Sequence, residues 1–455
     1  MSIDIRQKFH LEPNVGLLND PNGLIQYKGI YYVFFQWNRF EKNHTYKEWG
    51  LFTSKNLIDW SFKGSAIIPD QEYDFNGVYS GSSYVIKDKL YVFYTGNRKY
   101  DNERKSSQCL AISNNGRNFL KKGIIINTPI KYSEHFRDPK IFAGKNNNFF
   151  LVIGAQTKQT KLGAIALYHS FDGENWQYMR SLATSNTYQM IECPDMFRMG
   201  DKYILFYCPQ YRDNEKDIPL KSFSVYKVID LDETTGEIDD KNLDENYFMM
   251  DYGFDFYAPQ TFEDDKKRRI LWAWMSRMND EEEKAFAKLQ DSIHCLTIPR
   301  EILLEKNRLY QRPVKELYNL LGQDIIIRKY DDDQFNILND KHTVYLKLEN
   351  IKEDKNINWI IEDEFKINYN FEKMEFSIYR LNWLTNNWDK KSCKLEKIID
   401  MELWIDNSSI EIFINEGEKV FSSRIYRKHE KISISGNLCG ELIAKNIDRR
   451  ANYGR

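Results

Sequence analysis

Runs of β-branched and aromatic residues, each entered from a polar or glycine-bearing turn, recur through the first two thirds of the chain. GIYYVFFQWN from Gly29, DKLYVFYTGN from Asp88, NNFFLVIGAQ from Asn147, DKYILFYCPQ from Asp201 and RRILWAWMSR from Arg268 share this form. Each follows a short strand-like segment ending in such a turn, as the two arms of a hairpin do. SKNLIDW from Ser54, SNNGRNF from Ser113 and SFDGENW from Ser170 then add a polar turn closed by an aromatic, which signals a further strand. Each repeat therefore holds about four strands, the content of a propeller blade.

Aligning the repeats superposes Asn19-Asp20-Pro21, Tyr79-Ser80-Gly81, Arg137-Asp138-Pro139, Glu192-Cys193-Pro194 and Tyr257-Ala258-Pro259, at steps of 60, 58, 55 and 65 residues. Repeated four-stranded units build a β-propeller whose inner strands ring a central channel. The pattern predicts five blades over residues 1–305. It fades after LTIPREILL from Leu296, and a connector over 306–323 leads to a second set of alternating strands. TVYLKLENI from Thr343, EFSIYRL from Glu375, MELWIDNSSIEIFINEGEKVFSSRIY from Met401 and KISISG from Lys431 predict a β-sandwich over 324–455. The expected fold class is all-β: a five-bladed β-propeller followed by a C-terminal β-sandwich. The run Asp331-Asp332-Asp333 reads as a solvated loop.

Composition narrows the partners. Aromatics at 15% exclude a disordered chain, and 65 basic against 67 acidic residues leave no net field to draw nucleic acid or an anionic membrane. No window approaches the roughly 20 apolar residues that span a bilayer. The N-terminal MSIDIRQKFH lacks an export pattern, and six cysteines without CxxC pairing suit reduced thiols, so a cytoplasmic monomer or homodimer is expected. Seven histidines without HxxxH spacing give no metal site, and nothing calls for a cofactor.

Equivalent positions on successive inner strands must converge at one end of the channel. Asp20, Arg137, Asp138 and Glu192 therefore share a site although they span 172 residues. Several carboxylates with an arginine and without metal ligands are the inventory of glycosidic bond hydrolysis. Glu192 has the longer arm and is assigned as the acid, its proton retained by like-charge repulsion. Asp20 is assigned as nucleophile. Asp138 would accept hydrogen bonds from sugar hydroxyls, with Arg137 holding it ionised. Singly, Asn-Asp-Pro-Asn-Gly is turn chemistry, Arg-Asp a local ion pair and Glu-Cys-Pro uninformative. Their equivalence in three repeats is what makes a site.

Asn19-Asp20-Pro21-Asn22-Gly23, Arg137-Asp138-Pro139 and Glu192-Cys193 resemble, in order and spacing, the signature boxes of glycoside hydrolase family 32, the family of invertases, levanases and sucrose-6-phosphate hydrolases. Gln36 in FFQWN, Thr95-Gly96-Asn97, Tyr257-Ala258-Pro259-Gln260-Thr261, Trp274-Met275, Ile298-Pro299-Arg300-Glu301 and, in the second domain, IEIFINEGEKVFSSRIY extend the resemblance over almost the whole chain. It implies removal of terminal β-fructofuranosyl units by double displacement, with retention at C2 of fructose. Carried over by position, Asp20 is the nucleophile, Glu192 the acid/base and Asp138 the transition-state stabiliser. Asn19, Gln36, Trp49, Tyr79, Ser80, Arg137, Cys193, Tyr257 and Trp274 are the implied substrate-binding residues. Retention implies Asp20 and Glu192 carboxyls about 5 to 5.5 Å apart.

Three departures fall on the leaving-group side. His44 and Leu51 replace residues that the family pattern has as Trp and His, and Asp291-Ser292-Ile293-His294 replaces a region that usually carries Trp. Arg39, Lys42, His44 and Lys47, in a loop near the expected leaving-group side, read either as solvated basic residues, the commoner case, or as a group that attracts a phosphate. The acidic run Asp280 to Glu283 reads as a short solvated helix, with a place on the rim of the site as the alternative. The expected substrate is sucrose or sucrose 6-phosphate, with an exo-fructanase or fructo-oligosaccharide hydrolase as the alternative. A fructosyltransferase ranks below these, and a sugar-binding propeller without catalysis is disfavoured by the intact triad.

Overall fold

Among the described residues, five sheets of four or five strands, mainly antiparallel, follow one another along the first 313 residues, with a two-stranded ribbon beside them. The structure is a computed structural model and describes residues 5–100, 103–146, 148–213, 218–328, 334–426, 429 and 431–448. The aspartate run at 331–333 lies outside the described residues. Within each sheet the main strands run in chain order from the inside outwards. The inner strands are Gly16–Tyr27, Val78–Ile86, Tyr132–Ala143, Met190–Met199 and Tyr257–Glu263. Each packs against the next and the last against the first, so the sheets close into a propeller. Ser292–Ile293 pairs in parallel with Gly16 and Leu17. The fifth sheet ends in Arg308–Pro313, inside the stretch read as a connector. Only Val314 and the 3-10 turn Lys315–Leu320 then separate the two domains, because the first sandwich strand starts at Leu321.

The serine turns cap the third strand of three blades. Ser113 Oγ accepts from the N–H of Gly116 at 2.9 Å, while Asn115 Oδ1 accepts from Arg117 and Asn118. Ser170 and Asp172 repeat this with Gly173, Glu174 and Asn175. Gly116 and Gly173 sit at φ +71° and +78°, where a side chain would be strained. Adjacent blades interleave their apolar faces: Phe93 and Leu110 of the second pack with Phe136, Leu151 and Ile153 of the third. Each such buried side chain contributes about 1.5–3 kcal/mol.

The second domain is a sandwich of two six-stranded antiparallel sheets. Met401–Asp406, Ser409–Ile414 and Lys419–Arg424 are buried on both faces. Met401, Leu403, Ile405, Ile410 and Ile412 fill the sandwich core, whereas Trp404, Phe413 and Val420 face the propeller. Charged groups fix the contact. Arg300 Nε donates to Glu411 at 3.0 Å, and its other nitrogens reach Asp251, Gln311 and Ser422. His10 bridges Asp406 at 2.8 Å and Glu411 at 2.9 Å. Buried ions are tolerated only when so fully partnered. The Pro299-Arg300-Glu301 box thus serves the domain interface.

Candidate active site

Every inner strand breaks register at the same place: between Leu18 and Pro21, Tyr79 and Gly81, Arg137 and Lys140, Glu192 and Asp195, and Tyr257 and Gln260. These are β-bulges, which leave a residue out of the ladder and re-aim its side chain. Proline suits the position after the bulge because it has no N–H to lose from the ladder. This accounts for Pro21, Pro139, Pro194 and Pro259. In three blades the bulge residue is left-handed: Asp138 at φ 66°, Cys193 at 46° and Ala258 at 49°. Such a conformation costs about 1–3 kcal/mol and persists where the surroundings impose it.

A chain of hydrogen bonds points at Asp20. Lys47 Nζ donates to Asn19 Oδ1 at 2.5 Å, Asn19 Nδ2 to Gln36 Oε1 at 2.7 Å and Gln36 Nε2 to Ser80 Oγ at 2.8 Å. Ser80 then donates to Asp20 Oδ2 at 2.5 Å. All the donors face one way, from an ammonium to a carboxylate, an arrangement in which successive bonds polarise one another. Burial raises Asp20, and the Glu192 charge adds to this, while Ser80, Lys47 and Asn19 oppose it. Burial lowers Lys47 to about 8, with Asp20 and Glu283 pulling the other way.

Glu192 is held by a different set. Arg137 donates to its Oε1 through Nε at 3.1 Å and Nη2 at 2.5 Å, and Tyr257 Oη and Gln210 Nε2 donate to its Oε2, the former at 2.7 Å. Burial alone would raise Glu192, but Arg137 overcomes it and the group lies below its ordinary value. Asp138 receives the Cys193 N–H at 2.9 Å, and its own N–H donates to Thr95 Oγ1 at 3.0 Å. Burial takes Asp138 up to about 7, with the charges of Glu192 and Asp20 adding and Arg137 opposing. The Cys193 thiol lies 3.6 Å from Asp138 Oδ2 and 3.9 Å from Asp20 Oδ2, so the two aspartates meet over one sulfur.

Two family profiles match this chain: the N-terminal domain of glycosyl hydrolases family 32 over residues 10–313 and the family's C-terminal domain over 357–437. The chain belongs to glycosyl hydrolase family 32. It is 35% identical over 434 residues to a sucrose-6-phosphate hydrolase of Bacillus subtilis, covering 92% of this chain and 89% of that one. Among solved structures, a family 32 β-fructofuranosidase of Bombyx mori matches with a TM-score of 0.84 and 29% identity over 98% of this chain and 94% of the other. A sucrose-6-phosphate hydrolase of Lactobacillus gasseri matches at 0.83 and 25%, over 98% and 93%. This family 32 chain is a glycoside hydrolase of the β-fructofuranosidase type. Among its described residues no helix is long and apolar enough to cross a membrane.

The structure brings Asn19, Asp20, Gln36, Ser80, Arg137, Asp138, Glu192, Cys193 and Tyr257 into one polar cluster. Trp274 packs edge-on to Tyr257 with ring centroids 6.4 Å apart. Arg137 lies 4.0 Å from Asp138 and its charge favours the Asp138 anion, while its hydrogen bonds go to Glu192. The left-handed bulge turns Asp138 towards the Cys193 N–H and leaves the guanidinium to reach the next blade. Trp49 does not line the pocket: it is fully buried between Phe34 and Tyr94, and its indole N–H holds the carbonyl of Tyr79 at 3.1 Å.

The basic loop is already engaged. Arg39 lies against Glu48 and Ser65, Lys42 donates to the Gln290 carbonyl at 2.8 Å, and Lys47 is buried on Asn19. His44 and His294 both hold Glu283, at 3.2 and 2.9 Å. Glu283 belongs to the helix Asp280–Phe286, capped by Asn279 and Glu282. Burial would raise Glu283, but its bonds to the two imidazoles hold it well below the carboxylate range. It is thus a rim group and not a solvated one. Two departures from the family pattern, at 44 and 294, are partners in a single clasp. Sequence reading missed Gln210 and the placement of Lys47. Lys47 lies two residues before Trp49, in the spacing that shares a strand face, which was the available signal.

Proposed function

We propose that this family 32 enzyme hydrolyses sucrose 6-phosphate and sucrose, releasing fructose and glucose 6-phosphate or glucose, with retention at C2 of fructose. The likeness to a sucrose-6-phosphate hydrolase along 92% of the chain carries the reading, and the three carboxylates at equivalent bulges supply the chemistry. Asp20 attacks C2 while Glu192 gives a proton to the leaving oxygen. Glu192 then takes a proton from the water that releases fructose from Asp20. Asp138 binds sugar hydroxyls. Without substrate, the greater proton affinity lies on Asp138, at about 7, and not on Glu192. Hydroxyls donating to Asp138 favour its anion, and the proton shared among three buried carboxylates then falls to Glu192. The six cysteines are free thiols, as a cytoplasmic location requires, and the protein acts as a monomer or homodimer on a small sugar.

Comparing kcat/KM on sucrose 6-phosphate, sucrose, kestose and inulin tests the substrate. The first two should exceed the others at least about tenfold, a difference of about 1.4 kcal/mol. Preference for long fructans would overturn it. Asp20→Ala should abolish turnover and keep sugar binding, and surviving activity would overturn the assignment of roles.

A further inference from the structure

Arg104, on the second blade, has its guanidinium 5.2 Å over the ring of Tyr79 and donates through Nε to Asn97 Oδ1 at 2.6 Å. Its Nη2 is buried and has no hydrogen-bond partner, and no carboxylate among the described residues forms an ion pair with it. It feels the charges of both Arg137 and Asp138. Arg137 is neutralised by Glu192; Arg104 is not. Nearby, His135 Nδ1 lies 3.2 Å from Arg137 Nη1 and its Nε2 lies 3.7 Å from Glu134. A guanidinium nitrogen can only donate, so Nδ1 accepts and the imidazole proton sits on Nε2, a second donor. Burial, reinforced by Arg137 and Arg104, lowers His135 to about 4 and keeps the ring neutral.

Arg137, which acts on both groups, donates to Glu192, so they adjoin the proposed acid. The leaving sugar must contact the acid that protonates it. Resting on the proposed hydrolysis of sucrose 6-phosphate, we infer that Arg104, with the His135 Nε2–H, is the subsite for the phosphate of the leaving glucosyl unit. An unpaired, half-buried arginine next to a second guanidinium is costly alone and is satisfied by an anion with several acceptor oxygens. Tyr79 supplies a flat face that pre-orients the fork, so the charge is positioned before substrate arrives. In the basic loop Lys42, His44 and Lys47 are already bonded to Gln290, Glu283 and Asn19, and Arg39 lies 3.6 Å from Glu48.

The test measures kcat/KM on sucrose 6-phosphate and on sucrose, and inhibition by glucose 6-phosphate and glucose, for the wild type, Arg104→Gln and Arg104→Lys. Loss of charge-assisted bonds predicts a fall of about 10- to 100-fold on the phosphorylated substrate for Arg104→Gln, with sucrose changed less than about threefold. Glucose 6-phosphate should weaken as an inhibitor by a similar factor while glucose does not. Arg104→Lys keeps the charge without the fork and should fall between. It decides the matter alone if the glutamine variant does not fold. Equal losses on both substrates would mean that Arg104 meets a neutral sugar hydroxyl and would overturn the subsite, leaving the proposed activity intact. A wild type that handles the two substrates alike would overturn the phosphate reading itself.

Discussion

Ser80→Ala cuts the chain Lys47–Asn19–Gln36–Ser80–Asp20 at its last link. The bond lost is an O–H donated to a buried carboxylate at 2.5 Å, and Ser80 is itself only 3% exposed. Bonds of this kind are worth about 1.5–3 kcal/mol, and the Gln36 amide that donated to Ser80 at 2.8 Å is stranded as well. A fall in kcat/KM of about 10- to 150-fold follows. The pH profile gives the sign. Asp20 must be ionised to attack, and Ser80 lowers its proton affinity against the raising effect of burial. Without the hydroxyl the acid limb moves to higher pH, so the deficit is larger near ~pH 5 than near ~pH 7. Lys47→Met acts on the same limb from the far end, most where Lys47 is charged, below about 8. Because both substitutions act through one chain, the double variant should lose less than the product of the single losses. A Ser80→Ala enzyme within about threefold of wild type with an unmoved acid limb, or a double variant equal to that product, would refute the chain as a device for holding Asp20 ionised.

Two further outcomes follow. Glu192→Gln should lower turnover of sucrose by about 10²–10⁴-fold, yet spare fructosyl transfer from an activated fructoside whose leaving group needs no proton; equal losses on both would remove Glu192 from the acid role. At the domain interface, burial would lower His10, but Asp406 and Glu411 hold it above its ordinary value; against burial, His10 holds Asp406 below its own, and Arg300, then His10, do the same for Glu411. The His10 contribution to stability is therefore complete below about pH 6.5 and fades as pH rises through its higher folded value, whereas the carboxylate contribution is complete above about pH 4.5 and fades on acidification. Melting temperature should peak between these limits, and His10→Ala should cost about 3–5 kcal/mol and flatten the alkaline side; a variant with an unaltered profile would show that the bridge carries no stability.

Repeat symmetry made the propeller and its three carboxylates legible. A proline or glycine follows each bulge, and that local signal, repeated five times, fixes which positions converge without any knowledge of contacts. Direction was harder to read. Whether Arg137 turns to Asp138 or to Glu192 depends on the sign of φ at 138, and a left-handed aspartate leaves no mark in composition. Trp49 belongs to a motif that borders the site, but strand alternation places its ring behind Tyr79. Glu283 read as one acid in a solvated run because the histidines that claim it lie 239 and 11 residues away. Arg308–Pro313 passed for a connector since it follows Arg300–Glu305, the last strand of the visible repeat, with which it pairs.

The sandwich carries no member of the carboxylate trio, yet it reaches the acid through a short run of contacts. Asp255 accepts from Arg380 Nη1 at 2.6 Å and from the Arg424 N–H at 2.8 Å, both on sandwich strands. Its other oxygen accepts the Arg277 N–H at 3.1 Å. The Arg277 guanidinium lies 4.3 Å over the ring of Tyr257, whose hydroxyl holds Glu192. Apolar packing alone would join two domains at lower cost than buried ions, since each ion must be desolvated and every partner kept. What the ions add is a single relative geometry. With Asp255 and Arg300 each bonded from both sides, and His10 bonded to two sandwich carboxylates, the sandwich docks in one register, and that register sets where Arg277 presses on Tyr257. Orientation of Glu192, the proposed general acid, is thereby tied to the sandwich through Arg277 and Tyr257.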